Sequence, residues 1–171
     1  NMRSFSAYAT LSHHLDWFFS GYLNTIREQY QDHVNILYSG GDDVFAVGRW
    51  VELLAFAEDV RNEFRKYVGG DDISISAGIV LTSNKFPIAK AAEMAGHAED
   101  EAKKYGADKE KNIPAQKNAI NFLGKSLSWD KEFKKVKDKK NEFLYFIDNE
   151  KLSRGILHRI MLFDSVRERN E

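Results

Sequence analysis

The tetrapeptide Gly-Gly-Asp-Asp occurs twice in this chain, at Gly40–Asp43 and at Gly69–Asp72, and the two settings constrain the fold more than any other feature. The first copy lies between two short β-prone runs, Asn35–Tyr38 and Val44–Val47, a strand-turn-strand pattern that predicts a hairpin. The second follows a helical run from Trp50 with Leu53, Leu54, Ala57, Val60, Phe64 and Val68 inward, so Gly69 is expected to be the left-handed residue that ends that helix. A cap and turn account for the second copy completely. The same four letters therefore assign no chemistry by themselves.

The rest of the chain alternates helical and strand-like patterns. Leu11, Leu15, Phe18, Phe19, Tyr22, Leu23, Ile26 and Tyr30 recur at intervals that lay one apolar stripe along a helix of about five turns. Thr10 or Ser12 is its expected cap. Ile73–Leu81 alternates as a strand with a small-residue face at Ser74, Ser76 and Gly78. Pro87 opens a helix whose stripe Ala91, Ala95, Ala98, Ala102 permits close packing on a sheet, ending by Gly106. A polar loop, Ala107–Gln116, leads to a last strand at Ala119–Leu123. Phe143–Ile147 and Leu152–Val166 read as helical, with Ile156, Leu157, Ile160 and Met161 on one side.

With 171 residues and 43% apolar content, the chain has the length of one domain and the means to bury a core. No apolar run approaches the roughly 18 residues of a spanning helix, so no membrane is expected. The absence of cysteine excludes a disulfide framework, thiolate zinc sites and thiol catalysis, and is compatible with a reducing, cytoplasmic setting. Asn1–Tyr8 has neither the basic nor the apolar region of a secretory signal. The net charge of −1 hides an uneven distribution: Lys125–Lys140 holds seven lysines against Asp130, Glu132 and Asp138, a local excess of +4. We therefore divide the chain into residues 1–124, a mixed core, and residues 125–171, a lysine-rich connection with a helical appendage. The lysine run reads first as a solvated face and second as a contact to RNA.

At the first tetrapeptide a tight hairpin would hold two adjacent carboxylates at its tip, while Gly40 and Gly41 let a polyphosphate approach the backbone. Two such carboxylates repel unless a cation relieves them, and Mg²⁺ or Mn²⁺ does so while bridging phosphates. An ordinary Asp-rich turn explains the same residues equally well on spacing alone. The five histidines form no metal-ligand pattern, and Phe18, Phe19, Tyr22 and Phe64 fall at core spacing rather than as a base-stacking set.

The flanks carry a more specific signal. Tyr38-Ser39-Gly40-Gly41-Asp42-Asp43-Val44-Phe45-Ala46-Val47-Gly48 resembles the palm-domain hairpin of the large subunit of type III CRISPR effector complexes, a family related to GGDEF diguanylate cyclases and class III nucleotide cyclases. Thr10-Leu11-Ser12 with Leu15–Asn24, Ser74–Ile79, Pro87-Ile88 with Ala91–Gly96, and Lys117-Asn118-Ala119-Ile120 resemble the family's successive elements in order, over residues 8 to 124. Asp43-Val44 stands where a GGDEF cyclase carries Glu-Phe, which favours the CRISPR branch.

This resemblance implies an α+β, ferredoxin-like palm with a small C-terminal helical segment. In the intact protein it implies conversion of ATP to cyclic oligoadenylate by two-metal nucleotidyl transfer, with Asp42 and Asp43 holding divalent Mg or Mn. Gly40 and Gly41 would admit the nucleotide and Ser39 would add a hydroxyl contact. Lys103, in an Ala-Lys-Lys-Tyr-Gly stretch, and Lys117 would neutralise triphosphate charge, and Lys104 reads as a surface lysine. Ser12 has two readings, helix cap and contact to base or sugar. The expected partners are other subunits of the type III complex, with guide and target RNA bound through it, and a homodimer is considered. The family's first strand, which bears another metal-binding Asp, would precede the first helix. Asn1–Ala9 contains no Asp or Glu, so the sequence is expected to lack that strand and ligand, as well as the HD nuclease domain and other palm of the large subunit. Whether this stretch is itself an enzyme is left open. The alternatives are a GGDEF-like diguanylate cyclase acting on GTP, and a non-catalytic assembly module.

Overall fold

The computed structural model describes residues 5–70, 72–108, 112–149 and Gly155. The chain divides into two units, Asn1–Trp129 and Asp130–Glu171. In the first, a helical stretch consists of α1 (Phe5–Trp17), a π-helical turn (Phe18–Tyr22) and α2 (Leu23–Glu28). Thr10 and Ser12 thus lie inside α1 and cap nothing, because the helix starts at Phe5, well before the apolar stripe that sequence periodicity detects. The hairpin follows as β1 (Val34–Gly40) and β2 (Asp43–Gly48), and α3 (Trp50–Val68) runs to Gly69, whose φ of 74° is the expected left-handed cap.

Phe18, Phe19, Leu23 and Ile26 pack with Val34, Phe56, Val60 and Phe64 in one core cluster, with Ile36, Val44 and Ala46 of the hairpin against it. Tyr22 departs from the stripe: it is 43% exposed, and its hydroxyl donates to Glu63 at 3.0 Å. Two further phenols tie α3 to this stretch and to the turn that follows it: Tyr30, just after α2, donates to Asp59 at 2.5 Å, and Tyr67 to the His14 carbonyl at 3.0 Å. The large aromatic residues thus serve two purposes: rings in the core, hydroxyls at its rim.

A second sheet has the order β3 (Ala77–Ile79), β4 (Ala119–Phe122), β5 (Lys125–Ser128), with β3 parallel and β5 antiparallel to β4. The strand expected over Ile73–Leu81 is only three residues long. Its N-terminal part serves other partners: the Trp129 indole donates to the Ile75 carbonyl at 3.0 Å, and Ile75 packs against the core cluster. β4 turns through Leu123 and Gly124, both at positive φ, into β5, a hairpin built from the first residues of the lysine-rich stretch.

α4 (Ile88–Lys103) covers this sheet, with Pro87 as its N-cap. A Cβ on Gly78 would sit 2.2 Å from the Glu99 nitrogen and 2.3 Å from the Ala95 carbonyl oxygen. The small strand face and the alanine stripe therefore allow backbone-to-backbone approach, as the two patterns jointly predict.

A π-helical turn, Trp129–Phe133, leads into α5 (Lys134–Asp148) of the second unit, which contains the predicted helical residues Phe143–Ile147 and buries none of its side chains. The helix expected over Leu152–Val166 lies outside the described residues, Gly155 excepted, as does Asp71.

Candidate active site at the hairpin tip

The first tetrapeptide forms the tip of the β1–β2 hairpin. Gly40 pairs with Asp43, leaving Gly41 and Asp42 as a two-residue turn. Gly41 has φ +64° and Asp42 is not at positive φ, the pattern of a type II′ turn, which places glycine at the first central position. Nothing lies within 4 Å of a Cβ on Gly41, so conformation rather than crowding requires glycine there. Asp42, in the turn, and Asp43, in the closing strand pair, are both exposed.

Lys103 is the last residue of α4. Its ammonium bonds Glu99 at 2.8 Å, and that hydrogen bond raises its pKa above the ordinary lysine value; partial burial opposes the rise, while the Glu99 and Asp43 charges add to it. The field of Asp43 thus reaches Lys103, joining two residues 60 positions apart. Lys104 instead pairs with Glu101 at 2.7 Å on an exposed face, as expected of a surface lysine.

Lys117 is exposed at the end of the loop that leaves α4, and the Gln116 N–H donates to the Tyr105 carbonyl at 2.8 Å, holding the two ends of that loop together. This contact returns Lys117 to the end of α4 that carries Lys103. Lys117 and Asn118 both have positive φ, 54° and 47°. Asn118 is fastened by Arg61, whose Nε and Nη2 donate to its side-chain oxygen at 3.3 Å each.

Two contributors escape sequence reading. Arg61, only 7% exposed, occupies the position on the inward stripe of α3 where residue type argues against burial. The π-helical turn, whose Phe19 carbonyl accepts the Ser39 hydroxyl at 2.5 Å, has no sequence signature of its own. The structure therefore gives Ser39 a protein partner. Ser12 is exposed on α1, seven residues before Phe19.

Adjacent hard oxygen donors fit part of the coordination shell of Mg²⁺ or Mn²⁺, the remainder being supplied by phosphate and water. Among the described residues no cluster of three His, Asp or Glu side chains forms around them or elsewhere. No helix among those residues is long and apolar enough to cross a membrane.

Residues 1–113 match the family described as Cas10/Cmr2, second palm domain. The chain is 32% identical over 146 residues to the CRISPR system single-strand-specific deoxyribonuclease Cas10/Csm1 (subtype III-A) of Methanocaldococcus jannaschii, covering 77% of this chain and 18% of that protein. It is 39% identical over 95 residues to the Cas10/Csm1 of Streptococcus thermophilus, covering 56% and 12%. The chain thus spans less than a fifth of the length of these relatives. Among solved structures it resembles the Csm1-Csm4 cassette in complex with AMPPNP, with a TM-score of 0.60 and 26% identity over 71% of this chain and 20% of that one. The cassette with one ATP gives a TM-score of 0.58 at 25% identity, covering 71% and 19%. The cassette with cA4 gives 0.52 at 25%, covering 66% and 17%.

Proposed function

The chain belongs to the Cas10/Cmr2 second palm domain family, and on that premise we propose that it is the nucleotide-binding palm of a type III CRISPR large subunit, which in the intact protein makes cyclic oligoadenylate from ATP. One observation carries the reading: the carboxylate hairpin tip, with Lys103 within reach of the field of Asp43, is held on a fold that solved relatives share in complexes with AMPPNP, ATP and cA4. Asp42 and Asp43 would hold the divalent ions, Mg²⁺ or Mn²⁺, which would supply activation of a ribose 3′-hydroxyl and charge neutralisation at the pyrophosphate.

The chain's own residues supply the rest. Gly40 and Gly41 leave the backbone open to the triphosphate, and Lys103 faces its negative charge from α4, released from Glu99 to do so. Lys117 adds a second cation from the loop that returns to β4. Residues 1–124 form the palm, and the lysine-rich segment that follows, residues 125–171, begins by adding β5 to the palm's second sheet. The partners in this reading are a Csm4-type subunit, other subunits of the complex, and guide and target RNA, met in the cytoplasm.

The full-length protein in its complex, given target RNA, Mg²⁺ and ATP or GTP, tests this. Cyclic oligoadenylate from ATP that disappears in Asp42→Ala/Asp43→Ala is expected. Cyclic di-GMP from GTP would move the chain to the GGDEF cyclases, and complex assembly without product would make it an assembly module.

A further inference from the structure

The β1 strand changes phase just before the tip. Ile36 pairs with Ala46 and Tyr38 with Phe45, so Leu37 is the extra residue of a β-bulge. One inserted residue exchanges the two faces of everything after it. Ile36 packs against the core; without the bulge Tyr38 and Gly40 would follow it inward and Ser39 would face away. With the bulge, Tyr38 is 58% exposed and its hydroxyl lies 3.2 Å from the Cβ position of Gly40, on the open face. Ser39 turns to the helices.

There it meets the π-helical turn. The Leu23 N–H reaches back five residues to the Phe18 carbonyl, and the next carbonyl, that of Phe19, accepts the half-buried Ser39 hydroxyl at 2.5 Å. The Phe18 and Phe19 side chains are 0% and 4% exposed, so this turn is anchored in the most buried part of the core. π-Helical turns displace the regular backbone ladder and recur at functional sites. Bulge and widened turn thus meet in a single hydrogen bond, one residue before the Gly-Gly-Asp-Asp tip.

We propose that Ser39 is a positioning residue: its bond to the Phe19 carbonyl fixes the hairpin tip against the core and thereby aims Asp42 and Asp43. The inference deepens the proposed nucleotidyl transfer and rests on it for its kinetic consequence only. Ser39 touches no substrate in this role.

The test compares Ser39→Thr, which keeps the donor, with Ser39→Val, which matches Thr in shape without it, and with Ser39→Ala in case Val does not fold. In the nucleotide-free, full-length protein, amide exchange at residues 41–44 should accelerate by about tenfold in Val and Ala and stay near wild type in Thr, the scale of one lost part-buried hydrogen bond. In the assembled complex, kcat for oligoadenylate synthesis should fall by about tenfold in Val and Ala, with KM for ATP within about twofold, and recover in Thr. Unchanged exchange in the Val and Ala variants overturns the proposal, as does a raised KM at constant kcat, which would make Ser39 a direct nucleotide contact. If the wild type makes no product, the proposed function fails while the exchange comparison still decides the role of Ser39.

Discussion

The two copies of Gly-Gly-Asp-Asp use their glycines in opposite order. In the hairpin copy the second glycine, Gly41, takes positive φ and the first, Gly40, is a paired strand residue; in the other, the first glycine, Gly69, takes positive φ as a helix cap. The preceding element decides which. A strand entering the motif needs two more residues to reverse direction, so the left-handed residue falls at the second position. A helix needs it at once, to end its own hydrogen bonding. The hairpin copy makes Gly41 and Asp42 a two-residue turn and puts Asp43 in the closing strand pair with Gly40, so its adjacent carboxylates sit at the tip. Identical letters therefore become chemically different through backbone context alone.

The largest expected difference between the copies is in activity. Asp42→Ala/Asp43→Ala should lower target-dependent oligoadenylate synthesis by at least about 100-fold, the scale of losing metal-assisted charge stabilisation. Asp71→Ala/Asp72→Ala should stay within about twofold of wild type, measured in the same complex. A comparable loss from both pairs would erase the distinction drawn between the motifs.

The next effect tests whether the site extends from the tip to α4. Lys103→Met should raise KM for ATP by about tenfold, as expected for a lost charge-assisted contact, whereas Lys104→Met, removing an exposed pair with Glu101, should leave it within about twofold. Equal effects would mean that the field of Asp43 at Lys103 has no functional counterpart.

Glycine substitutions sharpen the comparison in stability. Gly41→Ala and Gly69→Ala should each cost about 1–2 kcal/mol, because both positions are left-handed and neither is crowded. Gly70→Ala, with open space and no positive φ, should be neutral within about 0.5 kcal/mol. Of the three, Gly41→Ala alone should also lower product formation, since it alone distorts the carboxylate tip. Denaturant melts and product assays on the same preparations separate the two effects.

What the sequence made legible follows the range of the interaction that decides it. The hairpin, the Gly69 cap and the close packing of Gly78 on the alanine stripe each depend on neighbours in sequence or on complementary periodic patterns. The shortness of β3 and the burial of Arg61 do not: each goes with a partner far along the chain, Trp129 for Ile75 and Asn118 for Arg61. At the site, family resemblance supplied Asp42, Asp43, Lys103 and Lys117 as candidates, and the fold gathers both lysines at one end of α4. The partner of Ser39 was illegible because a π-helical turn and a β-bulge are each one-residue departures from a regular pattern, and periodicity arguments average over such departures.

The smallest predicted effect contrasts the motif hairpin with the second two-residue hairpin among the described residues. At the β4–β5 turn both central residues, Leu123 and Gly124, are left-handed, at 52° and 74°, which is the type I′ pattern. Leucine suits that conformation poorly, and at 67% exposure its side chain gains little burial in return. Leu123→Asn should therefore stabilise the protein by about 0.5–1 kcal/mol, raising Tm by about 1–4 °C for a chain of this size. At Asp42, which is not left-handed, Asp42→Asn brings no such conformational gain and removes half of the carboxylate pair. Thermal melts of both variants check the assignment. A Leu123→Asn protein that melts no higher than wild type would mean that the left-handed residue in the second hairpin costs nothing, and the contrast between a strained structural turn and a glycine-relieved functional one would fail.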